Sequence, residues 1–185
     1  IKKNKMKKNI KAFFKEIITI IVGILIALGI NNWNENRKDK KYIDQISSSI
    51  HKELTETSED ILENIVVQES FIDTLDYYLK DTKISLLDVT MRSNGFHLPA
   101  IKINSLKALS NSKIELMQYK EISALANIEE QKESLKMKSE RLADFLYSNL
   151  KETEKDKKEY MKLLILDIIN TEKPLQKGIE SIIND

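Results

Sequence analysis

The sequence predicts an all-α protein, in which an N-terminal transmembrane helix leads into a long amphipathic helix that packs in an antiparallel helical bundle. Only 4 glycines and 2 prolines occur among 185 residues, which favours long helices with few turns. An uninterrupted apolar run covers residues 17–30. Apolar residues then recur at helical spacing along two long segments, and no run alternates for long enough to predict a strand.

The apolar run predicts a transmembrane helix over residues 17–33, behind a basic leader over residues 1–16. Fourteen residues rise only about 21 Å as a helix, short of the roughly 30 Å of a bilayer's hydrocarbon. Residues 13–33 rise about 31 Å, enough to span if the polar and aromatic flanks lie in the headgroup layers. The predicted interface anchors are Phe13, Phe14, Lys15, Asn31, Asn32 and Trp33.

Two other interpretations of this run stay open. A basic leader, a short apolar core and the triplet Ala27-Leu28-Gly29 also suit a cleaved signal peptide. A run of this length is also found in the buried helices of soluble proteins. The lysine-rich leader and the flanking Trp33 fit the buried helix poorly.

The charges beside the run predict its orientation. The leader carries seven lysines against Glu16 alone, whereas residues 34–44 carry four basic residues interleaved with three acidic ones. The positive-inside rule therefore favours a cytoplasmic N-terminus in an inner membrane, with the helical domain in the periplasm. Without the leader's charges, 23 basic and 28 acidic residues remain, a net charge of about −5. This acidic balance argues against a nucleic-acid partner.

Residues 34–185 are predicted to form a soluble helical bundle. Long helices are expected at about 42–80 and 114–153, with a small helical region at 84–111 and a C-terminal helix at 157–183. We expect residues 31–41 to be an exposed connecting turn or a short break, and Pro174 to break the last helix after Asn170. The apolar stripe of the first long helix comprises Ile43, Ile46, Ile50, Leu54, Ile61, Ile65, Ile72, Leu75 and Leu79.

One face of the predicted span is small and polar. Glu16, Thr19, Gly23 and Ala27 share this face, and Gly23 and Ala27 have the small-xxx-small spacing that lets another helix approach closely. Glu16, at the membrane edge, would find a partner there or remain in the headgroup layer. We therefore interpret these four residues as a helix-packing face. The alternative is an ordinary membrane anchor whose small residues have no role in packing.

No residue pattern predicts catalysis, and we expect no catalytic, cofactor-binding or metal-binding residues. His51 lacks a second ligand at helical spacing, so we expect a surface residue, and we expect a structural role for His97. The charged runs, including Lys155 to Lys158, are expected to be solvated helix faces. Phe71, Tyr77 and Tyr78 are expected in the core.

The block EIITIIVGILIALGINNWNENR, Glu16 to Arg37, resembles the hallmark of an uncharacterised family of single-pass bacterial membrane proteins. That family typically has a glutamate opening the anchor, an apolar core like Val22 to Leu28, and an exit like Ile30 to Glu35. Leu106 to Ile122 resembles a second, weaker family block. Lys15 stands where the family usually has glycine, and Gly29 where it usually has a polar residue. The resemblance implies a membrane anchor followed by a long helix, but no activity.

These features predict a membrane-anchored helical scaffold, or an accessory subunit of a membrane complex, with no enzymatic chemistry. Its expected partners are the lipid bilayer and either other membrane protein chains or copies of itself. A homo-oligomeric pore or effector is the first alternative, with Glu16, Thr19 and Asn34 facing a channel. An extracytoplasmic helical sensor is the second, although the short leader provides no cytoplasmic output domain.

Overall fold

The computed structural model describes the backbone of residues 2–184 and the side chains of residues 13–114 and 116–184. Over this range the chain is all-α, as predicted, and the polypeptide divides after Gln45 into two compact units. A short 3₁₀ helix, Ile114–Leu116, precedes the fourth of five α-helices. The α-helices are α1 (Lys2–Tyr77), α2 (Leu86–Arg92), α3 (Asn104–Ser110), α4 (Tyr119–Ser148) and α5 (Lys155–Ile183).

The first unit consists of the N-terminal part of α1. Helix α1 is continuous through residues 31–41, so the expected turn or break is absent. The physical reason is local: this stretch contains no glycine or proline, and its Lys, Arg and Glu residues favour helix. The Asn31 side-chain amide also donates to Glu35 Oε1, one turn on, at 3.2 Å.

The second unit is built on α1 from residue 46, with α5 packed antiparallel to it. His51, near the start of this part of α1, contacts the Ile183 carbonyl at the end of α5 through Nε2. Lys162, near the start of α5, pairs with Asp76 at the other end, at 2.6 Å. The ion pair of Lys173 and Glu69 lies between these two contacts.

Helix α4 packs antiparallel to α5, joined to it by a short loop. Lys138 Nζ donates to Asp167 Oδ1 and Thr171 Oγ1, both at 2.7 Å, and Arg141 donates to the Tyr160 hydroxyl. Apolar residues of α4 at near-heptad spacing are buried, namely Leu125, Ile128, Leu135 and Leu142. The predicted second long helix thus begins later than expected, after the 3₁₀ helix, and ends at Ser148.

Helix α5 passes through Pro174 without the expected break. Proline lacks the N–H that would bond the carbonyl four residues back, at Asn170. Both Asn170 and Pro174 lie on the exposed side of α5, where water can bond that carbonyl. Buried residues continue on the other side beyond the proline, including Leu175 and Ile179. Tertiary packing on the buried side therefore carries the helix past the proline.

The core of the second unit confirms most of the predicted apolar stripe. Six of its residues are buried: Ile50, Leu54, Ile61, Ile65, Ile72 and Leu75. Phe71 is buried as expected and contacts Phe96 edge-on at 6.1 Å. The expectation for Tyr77 was wrong, since its side chain is 80% exposed, and Tyr78 is half-buried. Tyr77 is the last residue of α1 and Tyr78 follows it, so both side chains lie at the carboxyl end of the helix.

Candidate functional site

The apolar segment of α1 is the first candidate site. In the described part of the chain, α1 is the one helix long and apolar enough to cross a membrane. None of its most apolar stretch is buried against the other described residues. The exposed large apolar side chains between residues 13 and 30 are Phe13, Phe14, Ile18, Ile20, Ile21, Val22, Ile24, Leu25, Ile26, Leu28 and Ile30.

The predicted interface anchors lie at the two ends of this segment. Phe13 and Phe14 contact each other edge-on at 6.3 Å, and Trp33 is 65% exposed. Lys15, Asn31 and Asn32 are exposed too. The lysines of the leader up to Lys11 have side chains outside the described residues.

The predicted packing face is exposed along its length in the part of the chain that the structure describes. A Cβ added to Gly23 would meet nothing within 4 Å, so no other described atom closely approaches the helix there. Thr19 turns its hydroxyl back to its own helix and donates to the Lys15 carbonyl at 2.9 Å. A shallow surface groove runs past Lys15, Glu16, Thr19 and Ile20.

The second candidate site is polar and lies in the folded unit. There, side chains of α1 bind an extended segment, residues 96–103, that we call the strap. The Ala100 N–H donates to Asp60 Oδ2 at 2.6 Å, and the Lys102 N–H donates to Thr57 Oγ1 at 3.0 Å. The next contact is at the start of α3, where the Ser105 N–H donates to Glu53 Oε2 at 3.0 Å. Side chains of α1 thus bond backbone N–H groups that no sheet partner satisfies.

The strap is also held by apolar contacts and one ion pair. Pro99, Ile101 and Ile103 are buried, whereas Ala100 and Lys102 between them are exposed. Lys102 Nζ lies 2.7 Å from Glu56 Oε2, and this lysine lowers the pKa of the Glu56 carboxyl. The strap therefore alternates between core and solvent as a half-buried strand does, but pairs with a helix.

The strap, α1 and α5 meet at a buried polar junction. Gln68 Nε2 donates to Glu172 Oε1 at 2.9 Å and to the His97 carbonyl at 3.1 Å. Gln68 and Glu172 are both 0% exposed. Burial raises the pKa of the Glu172 carboxyl to about 7, against the opposing effect of the bond from Gln68.

A buried lysine closes the carboxyl end of α1. Lys158 Nζ donates to the Tyr78 carbonyl at 2.9 Å and to the Asp81 carbonyl at 2.7 Å. The expectation that Lys155 to Lys158 form a solvated face was therefore wrong for Lys158, which is 0% exposed. Burial lowers the pKa of this ammonium group, and the Asp81 charge partly offsets that shift. Carbonyls left over at a helix end attract a cation, and Lys158 supplies it.

The two histidines have structural contacts. His51 lies exposed on the surface and bonds the Ile183 carbonyl, while His97 Nε2 lies 3.1 Å from the Asn94 carbonyl in the turn before the strap. Asn94 and Gly95 both have positive φ, 59° and 84°, which forms this tight turn. Among the described residues, no three His, Cys, Asp or Glu side chains are grouped so as to hold a metal ion.

Sequence reasoning found the apolar segment but missed both polar sites of the folded unit. The α1 residues that hold the strap and the junction are spaced at three or four residues, so they share one face beside the apolar stripe. That spacing was a usable signal. They are Glu53, Thr57, Asp60 and Gln68, and Asn64 on the same face bonds Asp60.

Comparison with protein-family models, with curated proteins and with solved structures returned no match for this chain. The resemblance of residues 16–37 to a bacterial membrane-protein family therefore stays a prediction.

Proposed function

We propose that this protein is a membrane-anchored helical scaffold, or an accessory subunit of a membrane complex. Residues 17–33 are the single transmembrane helix, and the unit from residue 46 is the soluble domain. The observation that carries the proposal is the contrast between the two units. The second unit buries its apolar stripe, whereas the first leaves a continuous apolar segment fully exposed. An exposed apolar surface of this length needs a lipid or protein cover.

The bilayer suits this segment better than a soluble protein partner does. Apolar side chains surround the helix on nearly all sides, whereas a helix that packs on one partner has an apolar stripe. Aromatic rings stand at both ends, at Phe13, Phe14 and Trp33, as they do at membrane–water interfaces. Exposed Asn31 and Asn32 come directly after Ile30, the last residue of the apolar run. The polar side chains therefore begin where the hydrocarbon would end.

The orientation that we propose places the leader in the cytoplasm and the helical domain in the periplasm. Seven lysines in residues 1–16 support it. A phosphatase reporter that is active only outside the cytoplasm, fused after Asp185, should be active. Replacing the five lysines of residues 2–8 with glutamate should strongly reduce that activity. An inactive reporter on the unaltered chain, present at normal amounts, would contradict the orientation.

The packing face of the anchor supports the scaffold over a solitary anchor. Small and polar residues at Glu16, Thr19, Gly23 and Ala27 leave room for a second transmembrane helix, and no described atom lies within 4 Å of a Cβ added to Gly23. The partner that we propose is therefore another membrane chain. Purification in mild detergent with mass measurement should give one copy bound to unrelated chains. A ring of identical copies would favour a pore instead, and a bare dimer would suit a sensor.

Ala27→Ile tests the packing face directly. The added bulk should separate the anchor from its partner helix, so the complex should dissociate in mild detergent. Val22→Ile adds a methylene elsewhere on the helix and serves as the matched control, with assembly unchanged. If Ala27→Ile assembles as well as Val22→Ile does, the face has no role in packing.

A further inference from the structure

We propose that Glu172 is a proton-operated switch: loss of its proton loosens the junction at which α5, α1 and the strap meet. This inference concerns the second unit alone and does not depend on the membrane anchor.

We base this proposal on the number of hydrogen-bond donors and acceptors at the junction. Gln68 has two amide hydrogens, and both are used, one by Glu172 Oε1 and one by the His97 carbonyl. The His97 carbonyl needs a donor, and this fixes which end of the Gln68 amide faces it. Two buried acceptors are then left without a donor, Gln68 Oε1 and Glu172 Oε2.

A proton on Glu172 Oε2 is the donor that this pair lacks. An ionised carboxylate only accepts hydrogen bonds, whereas a carboxylic acid brings one O–H. With that proton, Glu172 Oε2 has a hydrogen to donate, and no charge is buried at the junction. Without it, a charge is buried with a single hydrogen bond, which is costly because nothing replaces its hydration.

Charged groups around the junction are engaged elsewhere. On α5 and α1, Lys173 pairs with Glu69 at 3.0 Å. On α4, Lys138 bonds Asp167 and Thr171, one residue before Glu172. From the strap, His97 offers its carbonyl to the junction, while its ring bonds the Asn94 carbonyl.

The direction of the pH effect follows from the raised pKa of Glu172, about 7 against an ordinary value of 4.5. Between these two values the folded chain holds a proton that the unfolded chain has lost. The contribution of Glu172 to stability is therefore fully present below pH 4.5, is lost as the pH rises from 4.5 to 7, and levels off above pH 7. Glu172 alone should raise the unfolding constant on the order of 30-fold between pH 5 and pH 7.

The test is urea unfolding of the full chain in detergent at several pH values, for the wild type and two variants. Glu172→Gln replaces the acid's O–H with an amide N–H, so it should remove this part of the pH dependence and exceed the wild type's stability at pH 8. Glu180→Gln makes the same change at an exposed position on α5 and should keep the wild-type dependence. Equal pH dependence in all three proteins would overturn the proposal.

Hydrogen exchange of the wild type alone gives a second measurement, should Glu172→Gln fold poorly. Rates corrected for intrinsic pH dependence should rise between pH 5 and pH 8 at residues 165–179 and 96–101. Residues 119–130 of α4, away from the junction, should change much less. A uniform change along the whole unit, or none, would overturn the proposal.

Discussion

The buried side chain of Lys158 stabilises the carboxyl end of α1. Its ammonium group donates to two carbonyls, those of Tyr78 and Asp81, each of which also accepts one backbone N–H in the turn after α1. Replacing it with an apolar side chain of similar length keeps the volume and removes both bonds from the ammonium group. Each carbonyl would keep its backbone N–H partner and lose its second, charged donor.

Lys158→Met should therefore lower the free energy of unfolding by roughly 1.5–3 kcal/mol, the usual net contribution of hydrogen bonds to a charged group. Lys177→Met, at an exposed position on the same helix, should change it by less than about 0.5 kcal/mol. Urea unfolding at constant pH measures both. Equal stability of the two variants would show that Lys158 contributes only packing.

For individual residues, the sequence does not show which polar side chains are buried, because burial of a polar residue depends on tertiary contacts. Lys155 and Lys158 stand in one charged run, yet Lys155 is exposed with Glu159 and Lys158 is fully buried. Periodicity marks Ile168 and Ile169 as core, but it cannot show that Glu172 joins them. Its partner Gln68 lies 104 residues away along the chain.

At the scale of helices, α1 changes its surroundings along its length. From residue 13 to about residue 45 its side chains are mostly exposed, and from Ile50 onward an apolar stripe is buried beside the polar residues that hold the strap and the junction. The stripe was predictable because a helix that packs on one side repeats its apolar residues every three or four positions. The strap was not, because its N–H groups bond helix side chains, which leaves no strand pairing to recognise.

Two neighbouring residues of α1 lie on opposite sides of the boundary between its buried and exposed faces. Ile61 is 0% exposed and Leu62 is 50% exposed. Ile61→Ala should lower the free energy of unfolding by about 2–5 kcal/mol, since it leaves a cavity in the core. Leu62→Ala should change it by less than about 0.5 kcal/mol. Thermal or urea unfolding checks both, and equal losses would contradict the assignment of the two sides.

The continuity of α1 and α5 was also mispredicted, for a common reason. Local signals, the polar run at residues 31–41 and Pro174, predicted breaks. Helix-favouring composition carried α1 through the first, and packing on the buried side carried α5 through the second. Helix propensity was thus the better guide at residues 31–41, whereas at Pro174 tertiary packing overrides it.

For the protein as a whole, the proposed function depends on one property, that the exposed apolar segment of α1 crosses a membrane. Composition and length allow it, and the absence of burial in the described chain leaves the segment without another cover. A cleaved signal sequence would meet the same criteria. The two differ in where the protein's C-terminal part is found, in the membrane or free of it.

The most direct measurement is the distribution of the protein between membrane and soluble fractions after an alkaline wash, detected through a C-terminal tag. The wild type should remain in the membrane. Ile21→Arg with Ile24→Arg costs about 5–7 kcal/mol of insertion free energy and should release it. Leu62→Arg with Val66→Arg makes the same change at similarly exposed positions in the second unit, and should leave it in the membrane. A soluble wild type, or equal behaviour of the two double variants, would contradict the account.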